Sequence, residues 1–151
     1  MTLQVERTLD VGFILSVLTQ PEILDSISED GFKIEDFKID VINHYWVGIY
    51  DGQTEIGVIQ FRPMYKNCFD SHIHILPKYR KEYSQDAGAK ILEWVSNNLG
   101  ESLLYTGVPA FCESVKKFLL GFQFKEVGTL ENAWLKNGVQ NDMFILTKRI
   151  N

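Results

Sequence analysis

The sequence predicts an α/β fold of the α+β kind, on three observations: helical and strand periodicities alternate, one long helical segment joins two strand-like segments, and the last two strand segments face each other across a polar turn. With 151 residues, one hydrophobic core is expected, so residues 1–151 read as a single domain. Leu3 to Val5 is a short first strand. Asp10 is a good N-cap, and Val11, Ile14, Leu15 and Leu18 follow at the spacing of an amphipathic helix. A second short helix starts at Pro21, with Glu22 at its positive end, Leu24 and Ile27 on its apolar face, and Asp30-Gly31 to stop it. Residues 32–43 carry no clear period.

From His44 the period is two, with Tyr45, Val47 and Ile49 opposed to Trp46, Gly48 and Tyr50, until Asp51-Gly52 turns the chain. Ile56 to Phe61 is the partner strand, which Pro63 stops or confines to an edge. A third strand, Phe69 to Leu76, places Asp70, His72 and His74 on one face. Pro77 to Tyr83 is a connection, and Ser84 caps a long helix carrying Ala87, Ile91, Val95 and Leu99 up to Gly100. Leu103 to Val108 reads as a buried strand, and Phe111, Val115, Phe118 and Leu119 mark a helix ended by Gly121. Residues 122–130 and 142–149 form two strands joined by a polar loop containing Asn137-Gly138. The order is an antiparallel meander, one parallel crossover and a closing hairpin.

Composition excludes several classes. Lys plus Arg number 15 against 20 Asp plus Glu, a net charge of -5, so a surface built to coat nucleic acid or anionic lipid is not expected. Hydrophobic residues at 45% and charged residues at 23% exclude wholesale disorder. No apolar run reaches the roughly 18 residues of a membrane span, and MTLQVERTLD lacks a secretory pattern, so a cytoplasmic location is expected. Cys68 and Cys112 suit reduced core thiols and offer no metal-site spacing.

Chemistry concentrates around residues 70–85. A strand feeding a short turn into a helix start leaves main-chain N–H groups unpaired in one direction, and Lys78, Arg80 and Lys81 add positive charge beside them. Two readings stand: a pyrophosphate site, or a solvated connection. On the preceding strand, Asp70, His72 and His74 are either hydrogen-bonded structural groups or proton acceptors, since an imidazole near its ordinary pKa can take a proton directly or through water. Trp46, Trp94 and Trp134 lie on separate elements and suit core packing rather than a stacking platform. Glu29, Asp30, Glu35, Asp36 and Asp40 form either a solvated acidic loop or a receiver for a cationic amine.

The strand followed by Pro77-Lys78-Tyr79-Arg80, the long helix, the strand Leu103 to Val108, the helix ending Leu120-Gly121-Phe122, and Lys125 to Leu130 resemble the GNAT N-acetyltransferase superfamily. Gly128 to Gly138, with Asp142, is similar to the C-terminal hairpin of its ribosomal-protein alanine N-acetyltransferase branch, and the glycine-poor helix-start loop resembles that of some phage-encoded members. The resemblance covers residues 45–149 and implies a GNAT-like acyl-CoA acyltransferase fold, a mixed sheet of about seven strands flanked by about four helices.

It also implies acetyl-CoA as co-substrate, no metal, and transfer to a primary amine, on a protein N-terminus, a lysine or a small molecule, by direct attack in a ternary complex. The protein would act as a monomer or homodimer. The family's loop Q/R-x-x-G-x-G/A maps onto Arg80, Lys81, Glu82, Tyr83, Ser84 and Gln85, with Tyr83 and Gln85 where small residues are usual; Ile75 and Leu76 precede it. Asp70 lies nearest the family's carboxylate base, and Asp70 and His74 rank ahead of His72 as candidate bases. Lys117 stands where relatives carry the thiolate-protonating Tyr, so Tyr105 or Tyr83 is the candidate acid; Lys116 and Lys117 are candidates for the 3′-phosphate. The alternative reading is a catalytically inactive GNAT-fold binding or assembly protein, for example phage-encoded.

Overall fold

The computed structural model describes residues 3–151. In chain order the elements are β1 (Leu3–Arg7), α1 (Val11–Leu18), α2 (Pro21–Ile27), β2 (Tyr45–Asp51), β3 (Thr54–Tyr65), β4 (Cys68–Ile75), α3 (Arg80–Asn98), β5 (Ser102–Pro109), α4 (Glu113–Gly121), β6 (Lys125–Lys136) and β7 (Val139–Ile150), with 3-10 turns at Ile34–Asp36 and Pro77–Tyr79. One seven-stranded sheet runs in the order β1-β2-β3-β4-β5-β7-β6. The β4–β5 pair is parallel across the α3 crossover, and the other pairs are antiparallel.

Both faces of the central strands are buried, which is why β2 is apolar without interruption. Val47, Ile49, Ile59 and Phe61 meet Ala87, Ile91 and Val95 of α3 and Leu119 of α4. Trp46 and Val58 meet Phe13, Ile14, Val17 and Leu18 of α1 and Ile23 of α2. Trp94 stacks on Phe61, with ring centroids 5.8 Å apart, so Trp46 and Trp94 are packed on opposite sides of the sheet, and Trp134 stands on β6.

Local chemistry accounts for the element starts. The Asp10 carboxylate accepts from the Phe13 N–H at 3.0 Å, and Gln20 Oε1 accepts from the Ile23 N–H, with Pro21 opening α2. The buried stripe of α1 is Phe13, Ile14, Val17 and Leu18, whereas Val11 is exposed. α2 ends at Ile27, ahead of Asp30-Gly31.

Of the two outcomes expected at Pro63, confinement to an edge is the one observed: β2 pairing stops at Phe61, so Pro63 lies where β3 has a neighbour only in β4, at a register shift, and its missing N–H is tolerated. Two expectations are corrected. The polar loop around Asn137-Gly138 is a two-residue turn between long strands, with φ of 53° and 74° as a type I′ hairpin requires. α3 begins at Arg80, not at Ser84, because the 3-10 turn Pro77–Tyr79 runs directly into it.

Gly57 sets how closely β3 and β4 approach. A Cβ there would stand 2.3 Å from the His74 carbonyl oxygen and 2.9 Å from Ile75 Cα, both main-chain atoms. Gly57→Ala is therefore expected to lower the unfolding free energy by about 1–3 kcal/mol, as overpacking does; chemical denaturation measures this, and an unchanged midpoint would contradict the close approach.

Candidate functional site

The site arises where two strands part. β4 pairs with β3 from Cys68 to Ile75, and β5 pairs with β7 from Ser102 to Pro109. Between them β4 and β5 share only the pairs Cys68–Leu103, Phe69–Leu104 and Asp70–Tyr105. Beyond Asp70 and Tyr105 the edges diverge, and a cleft of about 870 Å³, solvent at its mouth included, opens between Ser71–His74 and Thr106–Pro109. Main-chain groups on the parted edges have no strand partner, so an extended ligand bearing amides can pair with them.

Ile91 and Leu92 of α3, Val115, Phe118 and Leu119 of α4, and Phe122 make the walls apolar. Gly88 lets Phe122 close one wall, since a Cβ at position 88 would lie 2.4 Å from the ring; Phe118 meets Phe122 edge-on at 5.0 Å. Ser26 and Ile27 of α2 also line the cleft, so it reaches through the sheet from the α3–α4 layer to the α2 layer.

The polar face of β4 borders the opening. Asp70 is 8% exposed, with Oδ2 accepting from Arg62 Nη2 at 3.0 Å and Oδ1 lying 3.0 Å from His72 Nε2. Burial pushes the Asp70 carboxyl up, but the hydrogen bond and charge of His72, with the Arg62 guanidinium, outweigh it and hold the group below its ordinary value. His72 and His74 both line the cleft. His74 is driven down to about 3, first by burial and then by the positive charges of His72 and Arg80, so it is neutral across the physiological range. That corrects the expectation of a His74 imidazole near its ordinary pKa. Tyr105 lies at the last paired register; burial first and the Asp70 charge second raise its hydroxyl pKa, so it keeps its proton.

The residues expected to hold a pyrophosphate surround the α3 start rather than the cleft walls. Arg80 donates from Nε to the Ile75 carbonyl at 3.0 Å and approaches Glu22 at 3.8 Å. Tyr83 turns away from the cleft into the core, where its hydroxyl donates to Asp51 Oδ2 at 2.6 Å and is pushed up to about 12, chiefly by that bond. Its bulk therefore does not plug the opening. Two main-chain donors expected to be free are engaged in the 3-10 turn: the Tyr79 N–H reaches the Leu76 carbonyl and the Arg80 N–H reaches that of Pro77. Lys81 and Ser84 share a helical stripe with Gly88 and Ile91, which carries them toward the cleft mouth, and Gln85 is exposed. Ile75 is buried in the α3-side core and Leu76 packs against the α1-side core.

Other singled-out groups have structural partners. Lys116 pairs with Glu126 at 3.0 Å and lies over the Phe144 ring. His44 Nδ1 is 3.0 Å from Gln60 Nε2. Cys68 and Cys112 are free and half-buried; Cys112 lines the cleft, with burial raising its thiol pKa. Among the described residues no helix is long and apolar enough to cross a membrane.

The acidic loop has partners too. Glu29 Oε1 accepts from the Leu135 N–H, and the Asp30 carboxylate accepts from the N–H groups of Asn137 and Gly138 at 2.9 and 2.8 Å, tying the segment after α2 to the hairpin turn. Asp36 and Asp40 accept main-chain N–H groups of their own turns. Sequence reasoning missed Arg62, Gly88 and the packing of Phe122 against it. Arg62 was not readable from the turn: pairing Tyr65 with Cys68 would set position 62 opposite Ser71, and the register shift between Pro63 and Tyr65 is what brings Arg62 opposite Asp70.

The architecture is the GNAT acyl-CoA acyltransferase fold. The spermidine N-acetyltransferase from Vibrio cholerae, solved in complex with CoA and spermine, superposes with a TM-score of 0.82 at 17% identity, covering 98% of this chain and 95% of that one. An N-acetyltransferase from Staphylococcus aureus Mu50 gives 0.73 at 14% identity, with 99% of each chain covered. Within that fold class, residues 13–149 match the family described as "Protein of unknown function (DUF2824)", and the chain belongs to it. Protein p31 of Acyrthosiphon pisum secondary endosymbiont phage 1 is 25% identical over 91 residues, 60% of this chain; the match spans 59% of that curated relative's length.

Hydrogen bonds from Gly138 and Asn137 hold the Asp30 carboxyl below its ordinary value of 3.8. Its contribution to stability is therefore fully present above that value and lost as pH falls through the lower folded-state value. Asp30→Asn should melt below the wild type at pH 7, with the gap closing under acid; thermal melts against pH check it, and a pH-independent gap would refute the tie.

Proposed function

We propose that this protein is an acetyl-CoA-dependent N-acetyltransferase that moves the acetyl group to a primary amine by direct attack in a ternary complex. The observation that carries the proposal is the cleft at the β4–β5 fork, which joins two layers of the molecule and so gives donor and acceptor separate approaches to one point. The parted strand edges suit the two amides of a pantetheine arm, and the Phe118–Phe122 wall suits its apolar stretches. The diphosphate would lie at the α3 start, where Lys78, Lys81 and the Ser84 hydroxyl stand beside the positive helix end; Ile75, Leu76, Arg80, Tyr83 and Gln85 shape that turn from behind or beside.

Amine attack needs a proton acceptor, drawn from Asp70 and His72 on the polar face, and the departing thiolate needs a donor, for which the protonated Tyr105 beside the fork is the candidate. No metal is required for this route. Likeness of the hairpin to the alanine N-acetyltransferase branch supports a protein N-terminus or lysine as acceptor, and likeness to the Vibrio cholerae enzyme solved with spermine supports a small amine. A cytoplasmic, non-nucleic-acid, non-membrane setting and a monomer or homodimer complete the reading.

A second reading, a GNAT-fold binding or assembly component, is favoured by the engaged Tyr79 and Arg80 amides at the helix start and by the phage relative. Thermal stability with acetyl-CoA separates the two. Ligand at about 100 times its dissociation constant stabilises by roughly 2.7 kcal/mol, and Lys81→Ala is expected to weaken binding about tenfold, or ~1.4 kcal/mol. An unmoved transition at millimolar acetyl-CoA would favour the binding component instead.

A further inference from the structure

On the polar face of the sheet, three side chains from two strands form a chain that ends at the cleft. Arg62 lies opposite Asp70 in the β3–β4 register, and its guanidinium holds one carboxylate oxygen at 3.0 Å. The other oxygen lies 3.0 Å from His72 Nε2, and the imidazole lines the cleft with 38% of its side chain exposed. His72 is the first residue on that face beyond the last β4–β5 pair.

We infer that His72 takes the proton of the attacking amine on Nδ1, and that Asp70 and Arg62 are positioning residues that hold it in the tautomer able to do so. This rests on the acetyltransferase reading and adds a proton path to it. Both oxygens of Asp70 are engaged and its carboxylate is buried, so it is placed to orient an imidazole rather than to meet a substrate. A carboxylate at Nε2 selects the Nε2–H form and leaves the Nδ1 lone pair free. His74, one step further along the strand, is held at about 3 and is a poor proton acceptor.

The amine nitrogen forms a bond to the thioester carbon while the carbonyl π pair moves to oxygen. The nitrogen proton passes to His72 Nδ1, then the oxygen pair returns and the C–S bond breaks with its pair on sulfur. The thiolate takes the Tyr105 hydroxyl proton to leave as the CoA thiol, the proton on His72 passes to solvent while solvent reprotonates Tyr105, and a substrate that arrives as an ammonium releases its additional proton to solvent.

The test uses the full chain with acetyl-CoA and a set of primary amines, spermidine and an alanyl N-terminal peptide among them. His72→Gln should lower kcat at least a hundredfold, at the lower end of general-base effects, with acetyl-CoA affinity unchanged. Arg62→Ala should lower kcat about tenfold with KM for acetyl-CoA unmoved, and Arg62→Lys should recover most of it. Nitrogen-15 NMR should show His72 as the Nε2–H tautomer in the wild type and a mixture in Asp70→Asn. If Asp70→Asn does not fold, the half-exposed Arg62 pair of variants gives the same readout. Wild-type transfer with undiminished kcat in His72→Gln, or an Nδ1–H tautomer in the wild type, overturns this inference alone. An Arg62→Ala enzyme equal to wild type overturns the positioning role. Wild-type protein that acetylates none of these amines overturns the acetyltransferase reading together with its base.

Discussion

Everything of functional interest depends on the end of the β4–β5 ladder at Asp70 and Tyr105. Each strand is tied along its outer edge, β4 to β3 and β5 to β7, so the two halves of the sheet follow their own twist and separate after three pairs. Helix α3 crosses between the halves and α4 closes beside it, converting a gap in a sheet into a walled cleft. Had the ladder continued to Ile75, the same side chains would form an ordinary buried face.

Charge is distributed around this fork with little to spare for a general field. The net charge of -5 suggests an acidic surface, yet Glu29, Asp30, Asp36 and Asp40 each accept main-chain N–H groups and hold turns in place. Asp70 is the buried carboxylate at the fork, with a guanidinium on one side and an imidazole on the other, so its desolvation is compensated. The phenol of Tyr83 similarly answers to Asp51, fastening α3 to the end of β2 and leaving the cleft clear. Acidic groups here mostly organise the scaffold, while His72, His74 and Cys112 line the cleft.

Element identity was largely readable, since the period-two runs of β2 and β4 and the α3 stripe of Ala87, Ile91 and Val95 are local properties of sequence. Boundaries were less so. Ser84 looks like a cap, but the 3-10 turn at Pro77–Tyr79 pre-forms the helix and starts it at Arg80. Pro63 looks like a strand end, and only the early stop of β2 leaves room for it. For the candidate site, the alternation that put Asp70, His72 and His74 on one face was legible, whereas their ranking was not. Contact separates His72, 3.0 Å from Asp70, from His74, and a cross-strand neighbour, Arg62, completes the chain.

By itself, then, the sequence determined which segments are strands and helices, which face of β4 is polar, and where positive charge gathers ahead of α3, because each follows from neighbours within a few positions. Tertiary structure alone decided where β4 and β5 part, that Phe122 rests on Gly88, that the Tyr79 and Arg80 amides are already bonded, and that Tyr83 faces Asp51. Those outcomes depend on register, twist and side-chain contact between residues far apart in the chain, for which no local pattern carries the information.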